Sequence, residues 1–549
     1  MRRRTTHYLA LLCFAAVALY LYSVPPSRWS HQDPFTYDDP ESLDGDDTPD
    51  SWIPQRRLAA DIPKRDAIVK AFKYHPRSQS GTNLSHSGGI GYTIVDAIDT
   101  MWLMDLQDEY AHARDWVRAS LRFDRDGRKR CFNTFETTIR VLGGLLSAFH
   151  LSSDTLYLHH AVDLADRLLP AFDTPSGLPL SSVNLETRVG IPNQYNQNEI
   201  STAEATTLQL EFRYLAQLTK NATYWHTAEK AMAVVDRARL PSNLAPISMN
   251  KEDGTYMQSE IRLGSRGDSY YEYLLKQYLQ TDRTEPVYLK MYTDAVQGIH
   301  DHLIQQTPVK KTTYTAELLP QGGPDWRTSW RVQHKQDHLV CFLAGALMLG
   351  ATTAGARGTA VSVPPDMGEL TKEGRRDWKT GVALLDGCLE THRTATGLSP
   401  EIAYWLPDPN QPDREWHIKG SYDARYMLRP ETVESLFIAW RLTGDVRYRT
   451  AAWGIFQAIE KHCRLPSGYA TVLDVDTVPV RHDDKQETFF LSETLKYLFL
   501  TFADERVLTL KGACGVSNRS CAARLTDLMA VQAHPLPVFR PSIKPQFTL

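Results

Sequence analysis

The sequence lacks the short motifs that identify several large classes of enzyme. None of its 549 residues forms a glycine-rich phosphate loop, a His-Glu-x-x-His zinc helix or a Gly-x-Ser-x-Gly nucleophile turn. It also lacks an excess of either charge, because 61 basic and 65 acidic residues leave a net charge of -4. No cluster of lysine and arginine occurs beyond the extreme amino terminus. The sequence therefore does not indicate P-loop or zinc-protease chemistry, and no nucleic-acid partner is expected.

Long hydrophobic runs are equally scarce, and the one clear run lies at the amino terminus. Residues 8–24 carry no charge and follow three arginines, Arg2 to Arg4. The run is at the lower limit for a membrane span, and no clear small-x-small cleavage site follows it. This pattern predicts an uncleaved signal anchor, with a cleaved signal peptide as the rival interpretation. The positive-inside rule then places residues 1–7 in the cytoplasm and the rest of the chain in the lumen, as a single-pass type II membrane protein.

Cysteine is rare, with seven in the chain and six of them outside the hydrophobic run. An oxidising compartment could pair several of these, and Cys514 and Cys521 are the local candidates. A buried free thiol is the alternative for any single cysteine. The Asn-x-Ser/Thr sequences at Asn83, Asn221 and Asn518 agree with a lumenal address.

Basic residues are absent from His31 to Asp50, where eight acidic residues and three prolines occur. This composition predicts a solvated segment, and we assign residues 25–51 as an acidic stem. The chain as a whole has globular composition, with 42% hydrophobic and 23% charged residues. We therefore expect residues 52–549 to form the catalytic or binding domain.

What the sequence has in abundance is a repeated pair of helices, in which an apolar helix, a short polar break and a second helix with 3.6-residue apolar spacing follow one another. The pairs lie at residues 145–172, 210–238, 271–303 and 435–463. Apolar segments at 95–117, 338–351 and 491–504 bring the candidate inner helices to about seven. The glycine joint at 143–144 and an irregular connection expected at 352–378 favour a closed α/α barrel over an open solenoid. The fold class is therefore predicted to be all-α.

Carboxylates and arginines recur near the predicted ends of these inner segments. They are Glu136 with Arg140, Arg266 with Asp268, Arg429 with Glu431 and Glu434, and the further acids Glu204, Glu487 and Glu493. For any one acid, a favourable interaction with the dipole of a helix start is the alternative interpretation. Several acid and arginine pairs in apolar surroundings favour a functional role, because burying that much charge is costly. Paired carboxylates near aromatic residues are typical of glycoside hydrolysis.

Nine motifs occur in order along residues 93–502 and together resemble one family. They are "TIVDAIDTMWLMDL", "FETTIRVLGGLLSAFHLS", "TPSGLP", "LQLEF", "GSRGDSYYEYLLKQY", "DHLVCFLAGALMLG", "GLSPEIAYW", "RPETVESLFIAWRLTGD" and "ETLKYLFLTF". With these motifs the chain resembles the class I α-1,2-mannosidases of glycoside hydrolase family 47. The resemblance implies an (α/α)7 barrel, calcium at its base, and hydrolysis of terminal α-1,2-linked mannose from N-glycans with inversion of configuration. High-mannose N-glycans on glycoproteins are then the expected partner, and a monomer is the expected state.

The resemblance also assigns roles to particular residues. By motif position, Glu136 is the expected acid, acting through a water, Glu431 is the expected base, and Asp268 is a third catalytic carboxylate. The positions implied around the sugar are Arg140, Glu204, Arg266, His338, Arg429, Glu434, Phe489, Glu493 and Gln532, with Phe489 under the apolar face. A core histidine is the alternative for His338. Cys341 and Cys388 match the family's structural disulfide.

Arg266, in the segment "GSRGDS", matches the endoplasmic-reticulum subgroup of the family. In that subgroup the arginine reaches into the oligosaccharide and favours removal of one specific mannose from the nine-mannose glycan. The resemblance thus implies a role in glycoprotein maturation and quality control in the endoplasmic-reticulum membrane, with the Golgi as the alternative. A solvated loop charge is the alternative interpretation of Arg266.

The carboxy-terminal segment departs from the family pattern. The family has "NTEAHP" where this chain has "AVQAHP", so Val531 stands at the threonine position and Gln532 at the glutamate position. In the family, the threonine gives calcium its carbonyl and hydroxyl oxygens. Calcium takes six to eight oxygen ligands, so we expect weak or absent binding, with the Val531 backbone carbonyl as the remaining protein ligand.

A second hypothesis follows from this departure, namely a lectin-like factor of glycoprotein quality control or degradation that binds mannose-rich glycans with weak or no hydrolysis. A helical scaffold for protein partners would explain the hairpins but would leave the buried acids without a purpose. Retention of Glu136, Asp268 and Glu431 favours the enzyme.

Overall fold

The computed structural model describes residues 58–73, 89–124, 131–323, 325–358, 361–406, 414–508 and 527–548. The predicted tail at 1–7, anchor at 8–24 and stem at 25–51 lie outside these ranges, as do Asn83, Asn518, Cys514 and Cys521. Within the ranges described, no helix has both the length and the apolar character that a bilayer span requires. Residues 51–549 form one compact unit, to which the description below refers.

Sixteen α-helices occur in the described ranges. They are α1 (Ile62–Lys73), α2 (Tyr92–Leu103), α3 (Gln107–Ser120), α4 (Thr134–Glu136), α5 (Gly143–Ser152), α6 (Thr155–Leu168), α7 (Thr202–Thr206), α8 (Gln209–Thr219), α9 (Ala222–Arg237), α10 (Asp268–Gln280), α11 (Pro286–His302), α12 (Phe342–Thr353), α13 (Lys372–Glu390), α14 (Glu431–Thr443), α15 (Val446–His462) and α16 (Leu495–Phe502). Two π-helical turns, Thr137–Leu142 and Phe490–Thr494, precede α5 and α16. Short 3-10 turns occur at Leu169–Phe172, His338–Cys341 and Met367–Glu369.

Seven of these helices form a closed inner ring. Helices α2, α5, α8, α10, α12, α14 and α16 contact one another in that order, and the π-helical turn before α16 returns to α2. Helices α3, α6, α9, α11, α13, α15 and α1 pack outside them, one against each inner helix. The predicted α/α barrel is therefore confirmed. Each of its seven inner helices overlaps one of the four helix pairs or three apolar segments predicted from the sequence.

Burial explains which helices lie inside. In α14 every residue from Glu431 to Leu442 is buried, because neighbours contact it on all sides. The outer helix α13 instead buries one face, at the spacing of Trp378, Gly381 and Leu385. Inner helices also approach closely, since a Cβ on Gly144 would lie 2.5 Å from the Val95 carbonyl oxygen.

One tight turn is repeated where an inner helix passes to its outer partner. The inner helix ends at a residue with positive φ, and the next residue is an Asp or Asn whose side chain accepts a hydrogen bond from a backbone N–H of the outer helix. The pairs are Ser153 with Asp154, Lys220 with Asn221, and Gly444 with Asp445. These pairs are the polar breaks seen in the sequence.

Short antiparallel strands connect the helices. They are β1 (Phe132–Asn133), β2 (Ser182–Asn184), β3 (Val189–Ile191), β4 (Glu199–Ser201), β5 (Ser248–Asn250), β6 (Ile304–Gln306), β7 (Thr313–Thr315), β8 (Glu317–Pro320), β9 (Trp330–Gln333), β10 (Lys335–Asp337), β11 (Ile402–Tyr404), β12 (Arg464–Leu465), β13 (Gly468–Tyr469), β14 (Thr471–Val472), β15 (His482–Asp483), β16 (Asp527–Met529) and β17 (Pro535–Pro537). The first three form one sheet, and the others pair in sequence order. These strands are additions to the predicted all-α fold.

The connection predicted as irregular at 352–378 is partly helical, because α13 begins at Lys372 after Thr371 caps it. Helix α13 also carries Cys388, which forms a disulfide with Cys341 at a Cα–Cα distance of 5.9 Å. The disulfide implied by the family resemblance is therefore present, and it links an inner helical segment to its outer partner.

The carboxy-terminal hairpin, β16 and β17, inserts its turn among the inner helices. Leu528 pairs with Leu536 in its register, and both pack in the hydrophobic core with Ala530. At the turn, fully buried His534 lies 2.7 Å from an Asp99 oxygen and 3.1 Å from an Asp96 oxygen, both on α2. The hairpin thus closes the barrel interior through charged contacts as well as apolar packing.

Lys496 on α16 completes this charged cluster, with Nζ 2.9 Å from Asp99 and donating to the Ala533 carbonyl at 2.8 Å. Replacing Lys496 with Met is expected to lower the free energy of unfolding by about 3–5 kcal/mol, because one member of a buried ion pair is removed. Denaturant titration measures this change. Lys461→Met, on the exposed side of α15, is the matched control and should change stability by less than about 0.5 kcal/mol. A Lys496→Met loss no greater than that of the control would contradict the assigned role.

Candidate active site

Most of the predicted site residues gather where the inner helices begin. Each inner helix is followed by an outer helix running back, so all inner helices point the same way and their amino-terminal ends share one mouth. Asp268 is the first residue of α10 and Glu431 the first residue of α14. Glu136 ends the short α4, and Phe489 directly precedes the last inner segment. Two carboxylates of the mouth, Asp268 and Glu431, therefore lie at helix starts, where the helix dipole favours negative charge.

Glu136 is held by its own helix and by a neighbouring strand. Asn133 accepts the Glu136 backbone N–H at 2.8 Å, and Arg140 Nε donates to the Glu136 carboxylate at 2.6 Å. Arg140 Nη1 also donates to Thr488 Oγ1 at 2.9 Å, and its guanidinium lies 5.7 Å from the centre of the Phe489 ring. The predicted i,i+4 pair is confirmed, and it is tied to the segment that carries Phe489.

Arg429 also contacts the Phe489 ring. Its guanidinium lies 5.3 Å from the ring centre, and Nε donates to Glu401 at 2.9 Å. A second nitrogen of Arg429 lies 3.8 Å from Glu431 Oε1. The Phe489 ring is thus flanked by two arginines, each next to one of the predicted catalytic acids, which places Glu136 and Glu431 around one aromatic platform.

Glu431 is a buried carboxyl and Asp268 a half-buried one, and both have raised pKa values. Burial raises the pKa of Glu431 to about 7, with Arg429 opposing and Asp268 adding to the shift. Burial also raises the pKa of Asp268 to about 7, against a hydrogen bond from the Ser269 backbone N–H. Among the described residues no donor reaches Glu431 Oε2, although this oxygen is buried. Such a carboxyl can exchange a proton near neutral pH, and its free oxygen can accept a hydrogen bond from water.

A second group of acids lies deeper in the barrel. Glu434 accepts a hydrogen bond from Tyr497 OH at 3.1 Å and lies 3.8 Å from Lys276 Nζ. Burial raises the pKa of Glu434, and the charge of Lys276 opposes this shift. Glu493 is also buried, and its pKa rises well above its usual range through burial and the charges of Glu431 and Glu434. Glu431 therefore has two further buried acids, Glu434 and Glu493, in its surroundings.

Glu204 and Arg266 lie near Glu136. Arg266 has a left-handed backbone, with φ of 72°, and forms an ion pair with Glu199 on β4. Burial raises the pKa of Glu204, while the Arg266 charge opposes it and the Glu136 charge adds to it. Arg266 is therefore fixed near Glu136 and Glu204 instead of being a loosely solvated loop charge.

His338 is packed in the barrel wall. Nε2 lies 3.1 Å from Thr432 Oγ1 on α14, and the ring lies 6.0 Å from that of Tyr426. Burial, with the His392 and Arg429 charges, lowers its pKa well below the usual value. Nδ1 has no hydrogen-bond partner within the described chain. His338 is thus a neutral neighbour of α14, one residue from Glu431 through Thr432.

The residues at the hairpin turn do not fit the calcium site implied by the family. Val531 has no side-chain oxygen, and its backbone N–H donates to the Tyr273 hydroxyl at 3.3 Å. Gln532 directs its amide nitrogen to Glu493 Oε1 at 2.6 Å and to Ser492 Oγ at 3.1 Å. An N–H group cannot ligate a cation, so Gln532 presents no ligand on the side that faces Glu493 and Ser492, and Val531 has no side-chain ligand. In the described ranges no group of three or more His, Cys, Asp or Glu side chains is placed to hold a metal ion.

Several residues of the site were not singled out from the sequence. They are Glu401, which holds Arg429, Thr488, which accepts from Arg140, and Glu272, Lys276 and Tyr497 around Glu434. Glu272 and Lys276 form an ion pair four residues apart on α10, a spacing visible in "EYLLK". The partners of Glu401 and Thr488 are far away in the chain, so no local spacing could have revealed them.

Comparison with known proteins agrees with this geometry. Residues 68–516 match the model of glycosyl hydrolase family 47. The endoplasmic reticulum mannosyl-oligosaccharide 1,2-alpha-mannosidase of Schizosaccharomyces pombe is 44% identical over 79% of this chain and 81% of its own length. The mannosyl-oligosaccharide 1,2-alpha-mannosidase of Candida albicans is 40% identical over 85% of this chain and 79% of its own.

A solved structure shows the same fold. The alpha-1,2-mannosidase from Trichoderma reesei superposes with a TM-score of 0.74 at 25% identity, covering 87% of this chain and 100% of that one. The family match spans most of the barrel and includes Glu136, Asp268 and Glu431. The chain is therefore a member of glycosyl hydrolase family 47.

Proposed function

We propose that this chain is an inverting glycosidase that removes terminal α-1,2-linked mannose from high-mannose N-glycans. Family membership and the names of its relatives support this reaction. The observation that carries the proposal is a pair of carboxyls with raised pKa values, the buried Glu431 and the half-buried Asp268, together with a Glu431 oxygen that no donor reaches in the described chain. A lectin-like binder needs no such pair, so the arrangement favours hydrolysis.

In the proposed mechanism Glu431 is the base and Glu136 the acid. Glu431 takes a proton from a water as the water oxygen bonds to the anomeric carbon, and the glycosidic bond breaks. The departing oxygen receives a proton that Glu136 supplies through a second water. The charge of Asp268 raises the pKa of Glu431, and Asp268 acts as the third catalytic carboxylate. Water attacks the face opposite the leaving group, so configuration at the anomeric carbon inverts.

The remaining residues of the mouth hold the sugar. Phe489, flanked by Arg140 and Arg429, would pack against its apolar face. Polar contacts to the sugar and to the rest of the glycan are assigned to Arg140, Glu204, Arg266, His338, Arg429, Glu434, Glu493 and Gln532. Arg266, fixed by Glu199, is proposed to select one mannose of the nine-mannose glycan.

The proposed location is the endoplasmic reticulum, in agreement with the names of the Schizosaccharomyces pombe and human relatives. Residues 8–24 would anchor the chain as a single-pass type II protein, with the stem at 25–51 and the barrel in the lumen. A monomer is proposed, with glycoproteins that carry high-mannose N-glycans as its partners.

The test is to incubate the purified lumenal region with nine-mannose glycan and follow released mannose by chromatography. Release of α-1,2-linked mannose, initially as the β-anomer, is expected. Binding of the glycan without any release would contradict the proposed hydrolysis.

The pH dependence of the reaction follows from Glu431. Because its pKa is raised to about 7, the base is lost as pH falls through about 7, whereas an ordinary glutamate would stay ionised to about pH 4.5. We expect kcat/KM to fall about tenfold per pH unit below that point. Initial rates between about pH 5 and pH 8 measure it. A rate that stays constant down to about pH 5 would contradict this assignment.

A further inference from the structure

The turn of the carboxy-terminal hairpin reaches the acid cluster through one side chain. Gln532 is 2% exposed, and its amide nitrogen donates to Glu493 Oε1 at 2.6 Å and to Ser492 Oγ at 3.1 Å. The charges of Glu431 and Glu434 in turn raise the pKa of Glu493. Gln532 therefore touches the residue that lies beneath the proposed base.

The orientation of the Gln532 amide follows from its neighbours. Ser492 Oγ donates its single proton to Asp96 Oδ2 at 2.9 Å. Toward Gln532 it can offer only a lone pair, so the amide group must present its NH2 there. The same NH2 group reaches Glu493. The amide thus supplies two hydrogen-bond donors to the acid cluster.

The charge at position 532 decides whether a cation is needed. Glu493 is buried among Glu431, Glu434 and Asp96, and the charges of Arg140 and Lys276 oppose these acids. A glutamate at 532 would put another carboxylate against Glu493 in a dry interior, where like charges repel strongly. Such a pair needs a cation or a shared proton. The neutral amide removes that need, while Val531 removes a calcium ligand from the same turn.

The hairpin turn is also held without a metal. Lys496 donates to the Ala533 carbonyl at 2.8 Å, and His534 lies between Asp96 and Asp99. Tyr273 OH contacts the Val531 backbone nitrogen at 3.3 Å. These contacts come from three inner helices and fix the turn on both sides of Gln532.

We propose that Gln532 is a positioning residue whose amide holds Glu493 in the place of a bound cation, so that this chain works without calcium. The inference rests on the proposed hydrolysis of mannose-containing glycans. It predicts that the two departures from the family pattern act together. Val531 removes a calcium ligand, and Gln532 removes the negative charge that would otherwise require calcium.

The first test uses the wild-type lumenal region. After treatment with chelator and desalting, we expect less than about 0.1 calcium per chain by elemental analysis, and the same melting temperature with EDTA as with millimolar calcium, because no site of adequate affinity exists. Mannose release should change less than about twofold between these conditions. Stoichiometric calcium after desalting, or a melting temperature raised by calcium, would overturn the proposal.

The second test changes the charge and the ligand separately. Gln532→Glu should lower the melting temperature in EDTA, since it buries a carboxylate against Glu493. Val531→Thr with Gln532→Glu should regain this stability when calcium is added, and Val531→Thr alone is the matched control that should not respond. Calcium titration followed by calorimetry provides a readout independent of activity. A double variant indifferent to calcium would overturn the coupling of the two positions.

The third test isolates the hydrogen bonds. Gln532→Met keeps the length of the side chain but removes both donors, and it should lower kcat by about 10-fold to 100-fold with a smaller change in KM. Gln532→Asn, which keeps an amide, should have a kcat between that of the wild type and that of Gln532→Met. Equal kcat for Met and wild type would overturn the positioning role. If the wild type contains no calcium and is stable but releases no mannose, the proposed hydrolysis is wrong. The proposal that Gln532 replaces a cation beside Glu493 would still hold.

Discussion

Replacing Glu431 with glutamine is expected to lower kcat for mannose release by about 10²- to 10⁴-fold, the usual contribution of a general base. Glutamine has nearly the shape of glutamate but cannot take a proton from water. The Glu431 carboxylate is also the acid whose Oε2 lacks a donor in the described chain, so little hydrogen bonding is lost. Affinity for the glycan should therefore change much less than kcat. Single-turnover hydrolysis and calorimetric titration of the nine-mannose glycan measure the two quantities separately.

The matched control is Glu252→Gln, an acid-to-amide change at an exposed residue whose ion pair with Lys251 lies at the surface. It should leave both kcat and affinity within about twofold of wild type, as surface changes do. If Glu431→Gln kept the wild-type rate, Glu431 could not be the base. Asp268→Asn would then be the variant to examine, since the pKa of Asp268 is also raised.

Replacing Arg429 with methionine is expected to lower kcat/KM at neutral pH by at least about 100-fold, because it breaks a buried charge network. Arg429 donates to Glu401 at 2.9 Å and lowers the pKa of Glu431 from the value that burial alone would give. Without the guanidinium, the pKa of Glu431 rises above about 7. The base is then protonated at neutral pH, and the acid side of the rate profile moves to higher pH. Initial rates across the pH range measure this shift.

Arg429→Lys separates charge from geometry. Lysine keeps the positive charge near Glu431, so the acid side of the profile should stay close to that of wild type even though the rate falls. The double variant Arg429→Met with Glu401→Gln removes the carboxylate left unpaired and guards against a loss of folding. An unshifted pH profile in the folded methionine variants would show that Arg429 does not set the pKa of Glu431.

The inner ring of the barrel could be predicted because burial on every side leaves continuous apolar segments in the sequence. Helix α14 is buried from Glu431 to Leu442, and its segment was found by this pattern. The sequence does not reveal the start of α13, because its first five residues, "KEGRR", carry four charges, with Lys372 and Glu373 exposed. The paired strands are two to four residues long, which is too short for alternation to show.

The site could be predicted residue by residue only where a motif names the residue. Glu136, Asp268 and Glu431 were found, and the structure places them at helix ends around Phe489. Their supports were not found, because Arg429 and Glu401, or Lys496 and Asp99, meet only after the ring has closed. Asp99 lies inside an apolar helix, where the sequence gives no sign that a cation will approach it.

Closure of the ring has a consequence for biosynthesis. Helix α1 packs on α16, and the Asp61 backbone N–H donates to the Phe502 carbonyl at 2.8 Å, across most of the length of the chain. A chain made from its amino end cannot form this contact, or seat the hairpin that carries Gln532, until nearly all of it has been synthesised. The growing polypeptide therefore exposes the edges of an open arc of helices, and it becomes a mature barrel in a late step that premature termination would prevent.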